Sequence, residues 1–240
     1  MQFSNRIAIP QLFVSDAAAD KLRDEAHKLP GWNLCGEQGQ ILRLLICGGL
    51  FPLRGYMSQA EAQAVAATGT LPGGHVWPCP ITLRITPDFS AGVEPGQDIA
   101  LWLDGQVVAI LSVTDSWVMD GKRHLGGRVK GLPMRDGTTT PNDLRAIWDR
   151  IGADRVFAGS DLRALPADAP AILMTDAGRI PATLPELVQG FALPHFDAQD
   201  RPMMRAIIAR NAGATHLAAK DAAGIADALA DLGLSVHGQS

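Results

Sequence analysis

Tyrosine occurs once in this chain of 240 residues, cysteine three times and histidine six times, and aromatic residues make up only 5%. Cys35, Cys47 and Cys79 form no Cys-x-x-Cys pair, which excludes a zinc knuckle and a thioredoxin-like redox motif. No metal site is expected. Cys47 closes the apolar run Leu44-Leu45-Ile46, so the thiols read as buried and inert, in keeping with a reduced, cytoplasmic protein. The run of about 18 apolar residues that a membrane span requires is missing. Met1 to Arg6 lacks the basic start and apolar stretch of a signal peptide. A basic excess is missing too: 21 Lys and Arg stand against 25 Asp and Glu, a net charge of −4. A binder of nucleic-acid backbones needs a basic stripe, so nucleic acid is not the expected main partner.

What is present suits a folded chain. Hydrophobic residues reach 47% against 19% charged, enough to bury a core. Ser15 and Asp16 offer N-cap oxygens to a helix over Ala17 to Leu29, which Pro30-Gly31 stops. Ile41 to Cys47 reads as a short strand ending at the tight turn Gly48-Gly49. Ser58 and Glu61 have capping-box spacing at the start of a helix running to Ala67. Short β segments follow: Ile81 to Thr86, then Ile99 to Leu103 and Val107 to Thr114 flanking the hairpin signal Asp104-Gly105. They predict a compact β barrel or sandwich within a first domain, residues 1–140. Beyond Pro141, helical patterns at Asn142–Ile151, Pro202–Asn211 and an Ala-rich Asp221–Leu232 alternate with strand patterns at Asp154–Ala158 and Thr215–Ala219. That alternation predicts a parallel α/β layer over residues 141–240. The Pro-rich stretch Leu165 to Pro194 gives no clear assignment.

Four segments then point to a family. Gly48-Gly49-Leu50-Phe51-Pro52-Leu53-Arg54-Gly55-Tyr56-Met57 resembles the GGFSPLxGFM segment of ATP sulfurylase (sulfate adenylyltransferase). Val76-Trp77-Pro78-Cys79-Pro80-Ile81-Thr82-Leu83 is similar to that family's WPIPVTL strand. His124-Leu125-Gly126-Gly127-Arg128-Val129 is similar to YVGGxL, and Ala206 to His216 to AIIRKNYGCTH. The resemblance implies a PUA-like β-barrel N-terminal domain followed by a reduced, Rossmann-like α/β domain of the nucleotidyltransferase type. It also implies an adenylyl-transfer site in which a QTRNP strand end and an HxxH pair meet developing negative charge. Here the corresponding strand, Val156-Phe157-Ala158, leads into Gly159-Ser160-Asp161-Leu162-Arg163, without glutamine, asparagine or histidine. No two histidines lie closer than 21 residues, so the chain has no HxxH pair.

The family's GRDHAG segment aligns with Ala219-Lys220-Asp221-Ala222-Ala223-Gly224, where Asp221, Ala223 and Gly224 persist and Lys220 replaces arginine. Lys220, Asp221, Ala223 and Gly224 are thus remnant nucleotide-binding candidates, with Asp221 equally readable as the N-cap of the last helix. Arg163 and Arg179 are candidates for an anion near the former sulfate pocket. No catalytic residue can be assigned. Lys122, Arg123, His124, Arg128 and Lys130 form the densest cationic stretch, without interleaved aromatics, and read as a solvated hairpin. The expectation is a sulfate adenylyltransferase homologue without catalysis, needing no cofactor, with a binding, regulatory or assembly role in sulfate assimilation. ATP, adenylyl sulfate or another sulfur oxyanion is the ligand class implied, and a homodimer or a partner protein stays open. Weak or altered adenylyltransferase activity and a PUA-like RNA-binding module are the alternatives.

Overall fold

Local signals start most helices where the sequence places them. The Ser15 hydroxyl accepts the Ala18 N–H and opens α1, Asp16–Ala26. A short strand β1, Gly31–Asn33, follows, and α2 spans Gly36–Ile46. The strand expected at Ile41 to Cys47 is therefore helical. Its buried residues Leu42, Leu45 and Ile46, with Gly39, recur at helical spacing, and the Gln38 side chain accepts the Cys35 N–H at its start. This placement leaves Cys35 exposed, so only Cys47 of the three thiols is fully buried. Gly55–Tyr56 forms β2, and α3, Gln59–Thr68, carries the expected capping box between Ser58 and Glu61. Leu83–Ile85 is β3 and Pro87–Ser90 a single helical turn, α4. Strands β4, Asp98–Leu103, and β5, Gln106–Met119, turn at Asp104 and Gly105, whose φ values of 50° and 76° belong to a tight hairpin loop. β6 covers Lys122–Gly131.

The computed structural model of the chain describes residues 5–133, 137–176 and 180–238. Its contacts divide into two units, one comprising Gln11–Cys47 and Phe51–Thr138, the other Met1–Pro10, Gly48–Leu50 and Thr139–Ser240. In the first unit the described strands make one sheet in the order β1-β4-β5-β6-β2, with β3 also paired to β6. All its pairs are antiparallel except β1 with β4. No pair joins the two ends of that order among the described residues, so the sheet is open where a barrel was expected. Its edge strands β1 and β2 have three and two residues, too little to supply the tilt and stagger of a closed barrel. Trp77, Leu83, Ile99, Leu101, Ile110 and Leu111 fill its core.

The second unit is a parallel layer. Helix α5, Pro141–Arg150, starts on a Thr140–Asp143 capping box, and β7, Phe157–Gly159, follows. A 3-10 turn at Leu162–Ala164 leads to β8, Ala171–Asp176, and β9, Val188–Leu193. These two strands lie in the Pro-rich stretch that resists sequence assignment; the run Ala171 to Met174 is buried throughout. Then come α6, Arg201–Asn211, and β10, His216–Ala218. The single final helix expected at Asp221–Leu232 is two short turns, α7 (Ala219–Ala222) and α8 (Ala226–Leu229), because Ala223 is extended and Gly224 takes φ 79°. β11, Ser235–His237, ends the layer. The order is β11-β10-β7-β8-β9, all parallel. Arg145 stabilises this unit from within. It donates to the carbonyls of Arg210 and Asn211 at the end of α6 and to Ile7, and burial beside Arg210 pushes its pKa down to about 10.

Candidate functional site

Strand order locates the place to look. Running outward from β7, the chain goes one way through β8 and β9, then returns on the other side through β10 and β11. In an open parallel sheet of this kind the crevice beyond the carboxyl ends of the strands, where the order reverses, receives the ligand. Here that place lies between the ends of β7 and β10, at Gly159-Ser160 and Ala218-Ala219.

The crevice is filled by the protein's own charges. The Ser160 N–H donates to Asp221 Oδ2 at 2.8 Å, and Arg205 Nη1 donates to Asp221 Oδ1 at 2.6 Å. Arg205 Nη2 donates to Asp176 Oδ1, at the end of β8, at 3.1 Å. Asp176 Oδ2 lies 3.7 Å from Arg201 Nη1, and Arg201 itself donates through Nε and Nη2 to the Phe196 carbonyl. The Asp221 and Arg205 side chains are only 2% and 9% exposed, so each neutralises the other out of water. A methyl group on Gly159 would come within 3.0 Å of the Ala218 Cβ and 3.3 Å of Asp221 Oδ2, which shows how closely the two strand ends approach.

The remnant candidates separate in this geometry. Asp221 lies within α7 as the buried centre of the network, and the N-cap reading gives way because its carboxylate accepts from Ser160 and Arg205 instead. Lys220 is exposed on the same turn, and Ala223 and Gly224 are exposed in the break after it. Arg163 is exposed on the 3-10 turn after β7, and its backbone N–H donates to Asp161 Oδ1 at 3.0 Å. Neither Lys220 nor Arg163 makes an ion pair among the described residues. Arg179 lies outside the described residues. Among the described residues no cluster of three or more His, Cys, Asp or Glu could hold a metal ion.

The histidines of this unit stand apart from the network. His216 and His237 pack on the Phe157 ring at 4.8 and 4.7 Å, and the His216 imidazole shares a hydrogen bond with the Thr215 hydroxyl. Burial, then Arg155 and His237, lower the His216 pKa. His195 is exposed. In the first unit the cationic stretch on β6 splits up. Lys122, Arg123 and Arg128 are exposed, Lys130 pairs with Asp98 at 3.1 Å, and His124 is buried against Trp117 with Thr82 on its Nδ1. Sequence reading missed Arg201 and Arg205. Their i,i+4 spacing on α6 was the available signal, since it puts both on one helix face. Asp176 had no such signal, as nothing local announces that its strand ends beside that face.

The fold and this site define an α/β protein with an open mixed sheet in one unit and a five-stranded parallel layer in the other. The sequence profile described as "PUA-like domain" matches residues 4–129, a little over half of the chain, and the chain belongs to that family. It is 36% identical over 104 residues to the sulfate adenylyltransferase of Eremothecium gossypii, a match covering 43% of this chain and 21% of that protein. With the sulfate adenylyltransferase of Synechococcus sp. it shares 32% over 121 residues, 50% of this chain and 29% of the relative. With that of Symbiobacterium thermophilum it shares 29% over 166 residues, 56% and 42% respectively. Among solved structures, a hexameric APS kinase from Thiobacillus denitrificans superposes with a TM-score of 0.79 at 27% identity. That superposition covers 95% of this chain and 55% of the other. The matches thus span from 21% to 42% of these curated relatives' length. Among the described residues no helix is long and apolar enough to cross a membrane.

Proposed function

We propose that this chain is a sulfate adenylyltransferase homologue that does not carry out adenylyl transfer and serves sulfate assimilation by binding, regulation or assembly. The observation that carries the reading is the Asp221 carboxylate at the strand-order reversal. It accepts the Ser160 N–H, a backbone donor at the end of β7, and it is held there by Arg205. A phosphate or sulfate brought to this crevice would meet a negative charge and a backbone donor already engaged. The buried cation that could have met it is shared between Asp221 and Asp176. Absence of any HxxH pair from the chain adds to this, because each lost donor to developing charge is worth about 10²–10³ in rate.

Release of pyrophosphate from ATP in the presence of sulfate tests the reading directly. The whole chain is expected to stay at the background without protein; turnover comparable to a working sulfate adenylyltransferase would overturn it. Weak or altered activity is the second reading, favoured by exposed Lys220 and Arg163, which lie near the same strand ends without a carboxylate partner. Under that reading, Lys220→Ala would remove a measurable residual rate. The hexameric state of the similar APS kinase makes assembly of this chain with copies of itself a natural extension, and sedimentation of the purified chain would read it.

A further inference from the structure

The first unit holds a cavity of about 420 Å³ that the strand-end crevice does not include. It lies over the junction of β2 with β6, where Gly55 stands opposite Arg128 and the Val129 N–H reaches the Arg54 carbonyl at 3.3 Å. Arg54, just before β2, and Arg128, on β6, both line it, and both are exposed. Neither meets a carboxylate among the described residues; Arg54 instead sits over the Phe51 ring at 5.9 Å, a weak cation–π contact. His75 also lines the cavity. Glu61 is its one acidic lining residue, and that carboxylate is already engaged by the Ser58 N–H and hydroxyl at 2.8 and 2.9 Å. Leu53, Met57, Leu71 and Pro72 supply apolar wall.

Two like charges lining one cavity repel unless an anion lies between them, and guanidinium forks match tetrahedral oxyanions in geometry. Volume and wall fit a small molecule with an apolar body, since such sites run to about 300–1,000 Å³ with a few placed polar groups. We infer that this cavity binds a small molecule bearing a phosphoryl or sulfuryl group, with Arg54 and Arg128 on the oxyanion and the apolar wall against its body. The inference deepens the binding role proposed above and relies on it for the choice of probes. It places the ligand on the PUA-like unit and not at the strand ends that Asp221 fills.

Calorimetric titration of the whole chain with adenylyl sulfate, ATP and inorganic sulfate tests it, alongside the variant Arg54→Ala/Arg128→Ala. Adenylyl sulfate or ATP is expected to bind the unmodified chain, and the double variant to lose at least about tenfold in affinity, one charge-assisted contact being worth that much. Tighter adenylyl sulfate assigns a sulfuryl head to the ligand and tighter ATP a phosphoryl one; either supports the site. Arg54→Lys/Arg128→Lys should recover part of the loss. Both arginines are exposed, so an unchanged thermal midpoint is expected and separates lost binding from lost folding. Equal affinity in the double variant would overturn the inference, as would loss of binding on Arg163→Ala instead, or an RNA oligonucleotide held through these arginines more tightly than either nucleotide. If the unmodified chain binds none of the probes, this site fails while the non-catalytic reading, which rests on pyrophosphate release, is untouched.

Discussion

At the scale of single residues, Asp221 and Arg205 matter through each other. A buried ion pair adds little net stability, yet removing one partner strands the other charge out of water and costs about 3–5 kcal/mol. Arg205 keeps Asp176 when Asp221 is lost, so Asp221→Ala is expected to destabilise the parallel layer by about 3 kcal/mol, the lower end of that range, read as a lower urea midpoint. Asp221→Ala/Arg205→Met should regain part of the loss, because the guanidinium that has lost its buried carboxylate goes as well and Asp176 keeps Arg201. Two histidines set a pH dependence. Burial is the main influence lowering the His124 pKa, with Arg84 and Lys122 acting the same way against the Met119 backbone and Asp120. Burial does the same for His216. With folded values below the unfolded one, the folded chain binds fewer protons, so the stability they confer is present above about pH 6.5 and lost as pH falls through the folded values. Urea midpoints should fall from neutral pH toward pH 5, and more shallowly in His124→Asn.

At the scale of elements, the glycines of the family-like segments hold strands together. A Cβ on Gly127 would lie 2.1 Å from the Ser112 carbonyl oxygen, and one on Gly126 2.2 Å from that of Met57. Both obstacles are backbone and cannot step aside, so β5, β6 and the segment after β2 approach this closely only with glycine there. Gly127→Ala is expected to cost about 1–3 kcal/mol or more, whereas Gly36→Ala, with nothing within 4 Å of the new methyl, should be neutral or stabilising. Thermal unfolding of the two variants side by side checks this. The helix starts at Ser15 and Ser58 were legible because a capping oxygen and its N–H partner are three residues apart, and the start near Pro141 because proline suits a first helical turn, while its Thr140 cap was not read. Helix α2 was misread because Ile41 to Cys47 is a short apolar run, and such a run suits a strand or a buried helix until its neighbours are known. Strands β8 and β9 escaped for a related reason: they are set among prolines and owe their stability to ladder bonds with each other and with β7.

At the scale of the whole molecule, the departures from the family-like motifs are spread over several places, so under the non-catalytic proposal single reversions should not bring adenylyl transfer. Lys220→Arg/Ala222→His returns two residues of the family-like GRDHAG segment, and pyrophosphate release is still expected to stay at background, because the strand after Val156 keeps no histidine and Asp221 still engages Ser160. A rate well above background would mean that the crevice is open to substrate. The sequence by itself determined the family, the parallel character of the second layer and the lack of a paired-histidine motif, since these depend on residue identity and spacing along the chain. Tertiary structure alone decided that the first sheet stays open, that Asp221 is a buried partner of Arg205 and not a helix cap, and that Arg54 and Arg128 share one cavity. The physical reason is distance along the chain: charges and strand edges that meet in space are 16 residues apart in sequence for Arg205 and Asp221 and 61 for Ser160 and Asp221, and no local pattern records which of them the packing brings together.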